Sequence, residues 1–215
     1  DDRINILFIG VDAREASSTP LSDTLILASI SPVDKDVILF SILRDTYVEI
    51  KEDKWRRINE ANPNGGVKLT MEVVSDLTGL DVSHYFYTDF EGFVQLIDTI
   101  GGVEIDVEKD MYWVDTADDP QYNIDLKEGL QTLDGMEALQ YVRFRYDAQS
   151  DYGRSERQRK FLTILANELK STMSIVKLPE ILANLSSHLK TNVTPSELWQ
   201  LARFGLQTDF EHIKS

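Results

Sequence analysis

Three continuous apolar runs constrain this chain more than anything else in it. They are Ile4-Asn5-Ile6-Leu7-Phe8-Ile9-Gly10-Val11, Thr24-Leu25-Ile26-Leu27-Ala28-Ser29-Ile30 and Val37-Ile38-Leu39-Phe40-Ser41-Ile42. Successive side chains of a strand point to opposite faces, so a strand apolar at both parities must be covered on both. The polar Ser31–Asp36 segment makes a hairpin of the second and third runs. Helical spacing follows over Val67–Leu77, with Gly79 as its stop. It recurs from Asp89 through Phe90, Phe93, Leu96 and Ile97 up to Gly101-Gly102, and again over Gly135–Gln140 behind Asp134. A long helix is expected from Ser155 to about Met173, and further helices open at Pro179 and at Pro195, the second with Thr194 directly ahead of the proline. Tyr85–Tyr87, the alternating Val103–Val107 and Tyr141–Arg145 read as short strands. Lys51–Gly66 reads as a polar stretch ending in a Pro-Asn-Gly-Gly turn, and residues 108–130 as loop. Helices alternating with buried strands predict an α/β/α sandwich, a central mixed sheet with helices on both faces. With no repeat or interdomain linker, the 215 residues are expected to form one domain over 1–215. Its motif-bearing core covers about 4–169 and a helical C-terminal segment about 174–215.

Charge is distributed unevenly. The formal net charge is −15, yet arginines gather at Tyr141-Val142-Arg143-Phe144-Arg145 and again at Gly153-Arg154-Ser155-Glu156-Arg157-Gln158. On a strand Arg143 and Arg145 share one face. On a helix Arg154 and Arg157 are neighbours, and Ser155 with Gln158 fits a capping box. Any one of these arginines is best read as a surface ion-pair partner, with Asp147, Asp151 and Glu156 close by. The four together point to a polyvalent anion, because the guanidinium fork pairs with phosphate and stays charged. Asp12 follows the first apolar run and Asp23 precedes the second; Arg44-Asp45 follows the third. Spacing alone makes Asp12 a turn residue and Asp23 a strand cap. If the strands are neighbours, however, the two carboxylates meet at one edge of the sheet, where hard oxygens suit Mg²⁺ and where open α/β sheets bind ligands.

Other chemistries fail on inventory. A pI near 4.5 argues against duplex nucleic acid. His84, His188 and His212 are scattered, there is no cysteine, and neither a Gly-x-x-x-x-Gly-Lys-Ser/Thr loop nor a Gly-x-Ser-x-Gly elbow is present. No apolar run reaches the length of a membrane span, and the abrupt start at Asp1-Asp2-Arg3 suggests that an anchor once preceded it.

Taken in order, the motifs are Asn5-Ile6-Leu7, Gly10-x-Asp12-x-Arg14, Ser22-Asp23-Thr24, Arg44-Asp45-Thr46, Ile58-Asn59, Asn62 with Gly65-Gly66, Phe90-Glu91-Gly92-Phe93, Gly101-Gly102-Val103, Leu133-x-Gly135, Tyr141–Arg145 and Arg154-x-x-Arg157-Gln158. This set resembles the LytR-CpsA-Psr family, the cell-wall glycopolymer ligases of Gram-positive bacteria. The resemblance implies a single-pass enzyme on the outer face of the cell membrane. Such an enzyme moves a glycopolymer phosphate (teichoic acid, capsule or related) from an undecaprenyl-pyrophosphate carrier to peptidoglycan, with Mg²⁺. Carried over, Asp12 and Asp23 associate with the metal. Arg14, Arg44, Arg143, Arg145, Arg154 and Arg157, with Gln158, bind pyrophosphate. Arg44 stabilises charge at the phosphoryl group, and Asp12 or Asp45 takes the acceptor proton. Two positions depart from the family: Leu21 stands where arginine is frequent and Leu43 where proline is usual. Two rival readings remain open, a polyprenyl-pyrophosphate pyrophosphatase and a non-catalytic polyprenyl-phosphate binding or regulatory protein.

Overall fold

A computed structural model describes residues 3–13, 19–114, 116, 119–146, 150–169, 181, 183 and 187–207. Internal contacts divide the chain into two compact units, one of residues 1–90 with 186–215 and one of residues 91–185.

The first unit is built on a mixed sheet. Strands β1 (Ile4–Val11), β2 (Ser22–Ser31) and β3 (Asp36–Ser41) form the antiparallel run that the apolar segments predict, with β2 and β3 joined as a hairpin. Parallel to β1 lies β6 (His84–Thr88), and β11 (Leu189–Thr191) closes the order β11-β6-β1-β2-β3. Both faces of the central strands are buried. Leu7, Ile9, Val11, Leu25 and Leu27 join a core with Val48, Ile58, Val73 and Val74, while Ile6, Ile26 and Ala28 of the opposite face are also covered. The α/β class with a central mixed sheet is thus the one expected from the runs.

The helix α1 (Ala61–Thr78) packs its Val73 and Val74 into that core and ends at Gly79, whose φ of 70° is the left-handed stop read from sequence. Lys51–Gly66, expected as a polar stretch, is more ordered than that. It holds the end of the hairpin β4 (Tyr47–Lys51) and β5 (Lys54–Arg57), a 3-10 turn at Ile58–Glu60 and the first turn of α1. Burial explains the difference: Ile58 and Ala61 are fully enclosed, and Asn59 and Asn62 nearly so. The Gly65-Gly66 turn survives as a break within α1, where both residues leave helical geometry. The expected Pro195 helix is α5 (Pro195–Gln207). It begins with a reciprocal cap in which Thr194 Oγ1 accepts from the Glu197 N–H and Glu197 Oε2 accepts from the Thr194 N–H. The Pro179 start lies outside the described residues.

In the second unit, α2 (Phe90–Ile100) leads into β7 (Val103–Val107), which pairs with β10 (Gly129–Leu133). Residues 108–130 are not simply loop: β8 (Met111–Trp113) pairs with β9 (Ile124–Leu126), and Met111, Ile124 and Leu126 are buried. The helix α3 (Gly135–Arg143) opens with a capping box from Asp134 and Glu137. Gly135 is required there, since a Cβ would fall 2.3 Å from the Val94 carbonyl oxygen. The expected strand Tyr141–Arg145 is a correction: Tyr141, Val142 and Arg143 are the last turn of α3, and only Phe144 and Arg145 leave it extended or irregular. The alternation of Val142 and Phe144 mimics a strand. The helix prevails because Ala138, Tyr141 and Val142, at i, i+3 and i+4, are all buried behind a strong N-cap. The helix α4 (Ser150–Leu169) starts five residues before the expected Ser155, so Ser155 and Gln158 lie within it and form no capping box.

Candidate active site

The first unit gathers charge at one end of its sheet. Gly10 pairs with Thr24 and Val11 with Ser22, which leaves Asp23 as the extra residue of a β-bulge. Bulges re-aim a side chain and recur beside active sites. Gly10 fits this close pairing, since a Cβ would stand 3.1 Å from Thr24 Cβ. Asp12 follows directly after β1, half-buried, so the antiparallel pair carries both aspartates at the same end, as the sequence implied for neighbouring strands.

Arg44 joins them. A turn closed by the Thr46 N–H on the Leu43 carbonyl presents Arg44 and Asp45 at its centre. Arg44 Nη1 donates to Asp23 Oδ1 at 2.6 Å, and Arg44 Nε lies 3.8 Å from Asp45 Oδ2. Both partners of the short pair keep some exposure, with about a quarter of the Arg44 side chain and a third of Asp23 open to solvent. It is a charge-assisted contact that stays accessible to a ligand rather than a sealed ion pair. Asp45 also receives Arg57 at 3.4 Å.

Two residues the sequence placed only as motif members now have structural tasks. The Asn59 N–H donates to the Arg44 carbonyl, and Asn62 Nδ2 donates to the Pro20 carbonyl just ahead of β2. They brace the two segments that carry Arg44 and Asp23. Ser22 Oγ and Asn59 Oδ1 are buried and make no hydrogen bond to the described residues. Leu21, at the position of the family's frequent arginine, is exposed. Arg14 lies outside the described residues.

The second unit uses its arginines differently. Arg157 is buried, its side chain only 5% exposed. Its Nη2 donates to the Phe144 carbonyl, its Nη1 reaches Glu108 Oε1 at 3.2 Å, and its guanidinium lies over the Phe144 ring. Gln158 Nε2 donates to the Val142 carbonyl at 3.2 Å. The last carbonyls of α3 have no partner within their own helix, and these two side chains supply partners. Arg143, in the last turn of α3 where a cation complements the helix dipole, donates to the Tyr122 carbonyl and lies over the Tyr122 ring. Arg145 stands half-buried beside the Tyr146 ring, and Arg154 pairs with Asp151 at 3.2 Å. Arg143 and Arg145 therefore share no strand face, whereas Arg154 and Arg157 are neighbours on one helix as expected.

Glu108 was not foreseen. Besides Arg157 it accepts from the Tyr141 hydroxyl at 3.1 Å and lies near Lys160. Partial burial raises its pKa. Hydrogen bonds from its own backbone N–H, Arg157 and Tyr141, with the Lys160 charge, outweigh that and leave it below the usual range. Burial, then the Glu108 charge, pushes the Tyr141 phenol well up. The available signal was Tyr141 itself, because a tyrosine on the buried stripe of a helix needs a partner for its hydroxyl.

Comparison with known proteins identifies the class. The sequence model of the LytR_cpsA_psr family matches residues 1–215, and the chain belongs to this family. Among its relatives, the polyisoprenyl-teichoic acid–peptidoglycan teichoic acid transferase TagU of Oceanobacillus iheyensis is 37% identical over 207 residues, 93% of this chain and 62% of its own length. The regulatory protein MsrR of Staphylococcus aureus is 31% identical over 210 residues, 96% of this chain and 62% of its own length. The chain thus spans about 62% of the length of these relatives. Bacillus subtilis TagV superposes with a TM-score of 0.83 at 30% identity, over 99% of this chain and 82% of its own. TagT bound to LI-WTA superposes with a TM-score of 0.77 at 27% identity, over 96% and 75% respectively.

Proposed function

We propose that this chain is the catalytic domain of a phosphotransferase that moves a glycopolymer of the teichoic acid or capsule kind from a polyprenyl-pyrophosphate carrier to peptidoglycan, at the outer face of the cell membrane. The observation that carries the reading is the similarity, over 93% of this chain, to a named teichoic acid transferase, joined to a bulged strand pair that holds Asp23 against Arg44. Among the described residues no helix is long and apolar enough to cross a membrane.

Phosphoryl transfer asks a protein mainly to position groups and neutralise charge. Arg44 is fixed by its turn, by Asn59 and by Asp23, so its guanidinium meets developing phosphoryl charge without reorganising. A carboxylate at the same end, Asp12 or Asp45, takes the proton of the acceptor hydroxyl. Within the second unit taken by itself, Arg143, Arg145 and Arg154 are the residues proposed to bind phosphate, while Arg157 and Gln158 hold the segment that presents Arg145.

Two hard carboxylates, Asp12 and Asp23, stand where β1 ends and β2 begins; among the described residues no group of three or more His, Cys, Asp or Glu could hold a metal alone, so Mg²⁺ there would need substrate phosphate. Mg²⁺ is commonly held by one or two carboxylates, with water and substrate phosphate completing its shell. Bound there, it would neutralise phosphate charge.

The test is lipid-linked glycopolymer plus a peptidoglycan oligomer with Mg²⁺, followed for ligated product and free phosphate. Arg44→Ala is expected to lower acceptor-dependent ligation by about a hundredfold. Phosphate release indifferent to acceptor, with no ligated product, would replace transfer by hydrolysis.

A further inference from the structure

The β4–β5 hairpin carries an exposed aromatic pair that neither the core nor the proposed chemistry uses. Along β4, Val48 and Ile50 turn inward, whereas Tyr47 and Glu49 turn out. On β5, all four residues are exposed. Tyr47 pairs with Arg57 and Glu49 with Trp55, so the two aromatic residues are diagonal neighbours on the outer face. Their rings stack with centroids 6.2 Å apart, and the residues are 66% and 56% exposed. Water-facing tyrosine and tryptophan side by side cost hydration free energy that the fold does not recover. The two residues border a shallow, open cleft of about 490 Å³, lined also by Asp53, Lys54, Arg56, Arg57 and Glu60. Glu60 accepts from Arg56 and Arg57, which hold its pKa down against a smaller contribution from burial. The cleft is continuous with the Arg44 turn: β4 begins three residues after Arg44, Arg57 reaches Asp45 at 3.4 Å, and the Ile58 N–H donates to the Thr46 carbonyl.

We propose that this hairpin is the docking surface for the acceptor, a glycan strand of N-acetylated sugars bearing carboxylate-ended peptides. The inference rests on the transferase reading for the acceptor's identity. The flat C–H face of a pyranose stacks on an aromatic ring, and Lys54 and the arginine edges meet carboxylates spaced along such a strand. An anionic lipid sheet fits less well, because a continuous plane of negative headgroups would meet Glu49, Glu52 and Asp53 together, whereas carboxylates spaced along a strand can meet Lys54 and the arginine edges alone.

The experiment measures binding without any lipid-linked donor. A soluble tetrasaccharide peptidoglycan fragment with its stem peptides, the same fragment stripped of peptides, and phosphatidylglycerol vesicles are titrated into the parent, Tyr47→Ala/Trp55→Ala and Lys54→Ala. The double variant is expected to bind both fragments about tenfold more weakly. Lys54→Ala should weaken only the peptide-bearing fragment, and unfolding should be unchanged in both because the side chains are exposed. In the transfer assay the double variant raises the acceptor KM and keeps kcat at saturating acceptor. Equal fragment binding in parent and double variant, no fragment binding by the parent, or a loss confined to vesicles overturns the proposal. Failure of ligation with fragment binding intact counts against the transferase reading alone.

Discussion

Arg44 and Arg157 both sit in charged motifs, and each has a carboxylate within 3.2 Å, yet their surroundings assign them different work. Arg44 is on a surface turn at the end of three strands, partly open, bonded to a bulged aspartate. Arg157 is inside the second unit, where it caps the spent end of α3, neutralises Glu108 and covers Phe144. The first arrangement leaves a cation available to a ligand. The second consumes a cation in holding two helices and a strand end together. Equal residue type therefore does not imply equal role, and burial with carbonyl partners marks the structural member.

Mutation can break that comparison. The largest effect on folding belongs to Arg157→Ala, which strands the Phe144 carbonyl and leaves Glu108 without its guanidinium. A loss of about 3 kcal/mol is expected in urea unfolding. Arg44→Ala should cost less than about 1 kcal/mol in the same measurement, since its pair is partly solvated. Equal losses in the two variants would erase the distinction.

A smaller effect tests whether the Arg44 end of the sheet is the ligand-facing one. Asp23→Asn keeps the bulge and most of the side-chain shape but removes a charge. Calorimetry with pyrophosphate present should show Mg²⁺ binding about tenfold weaker, because hard cations select carboxylate over amide oxygen. Binding equal to that of the parent would dissociate Asp23 from the metal.

The smallest effect lies at the start of α5, where Glu197 reaches His84 at the end of β6 opposite to the Asp12 and Asp23 end of the sheet, and serves as a control. Thr194→Ala removes a helix cap and should cost about 1 kcal/mol with activity retained. Glu197 is held at about 2, first by the Thr194 backbone N–H, then by the Thr194 hydroxyl and His84. A depressed carboxylate stabilises the fold above its unfolded pKa of about 4.3 and loses that contribution as pH falls toward the folded value. The stability gap between the parent and Glu197→Ala should accordingly be constant above about pH 5 and close between about pH 5 and 2. A gap that persists at low pH would remove the cap from the account.

Local pattern alone carried much of this protein. The both-parity apolar runs of β1, β2 and β3 dictated buried strands, Gly79 marked the end of α1, Asp134 the start of α3, and the order of motifs gave the family. These signals are short-range: dihedral preference, capping and side-chain parity act within a few residues. Tertiary structure decided the rest. Whether Tyr141–Arg145 would be strand or helix turned on what buried Tyr141 and Val142. That Asp23 is a bulge residue bonded to Arg44 depended on strand register across 21 positions. That Glu108 serves Arg157 depended on a contact across 49. Partners so distant are chosen by packing, and periodicity along one segment holds no record of them.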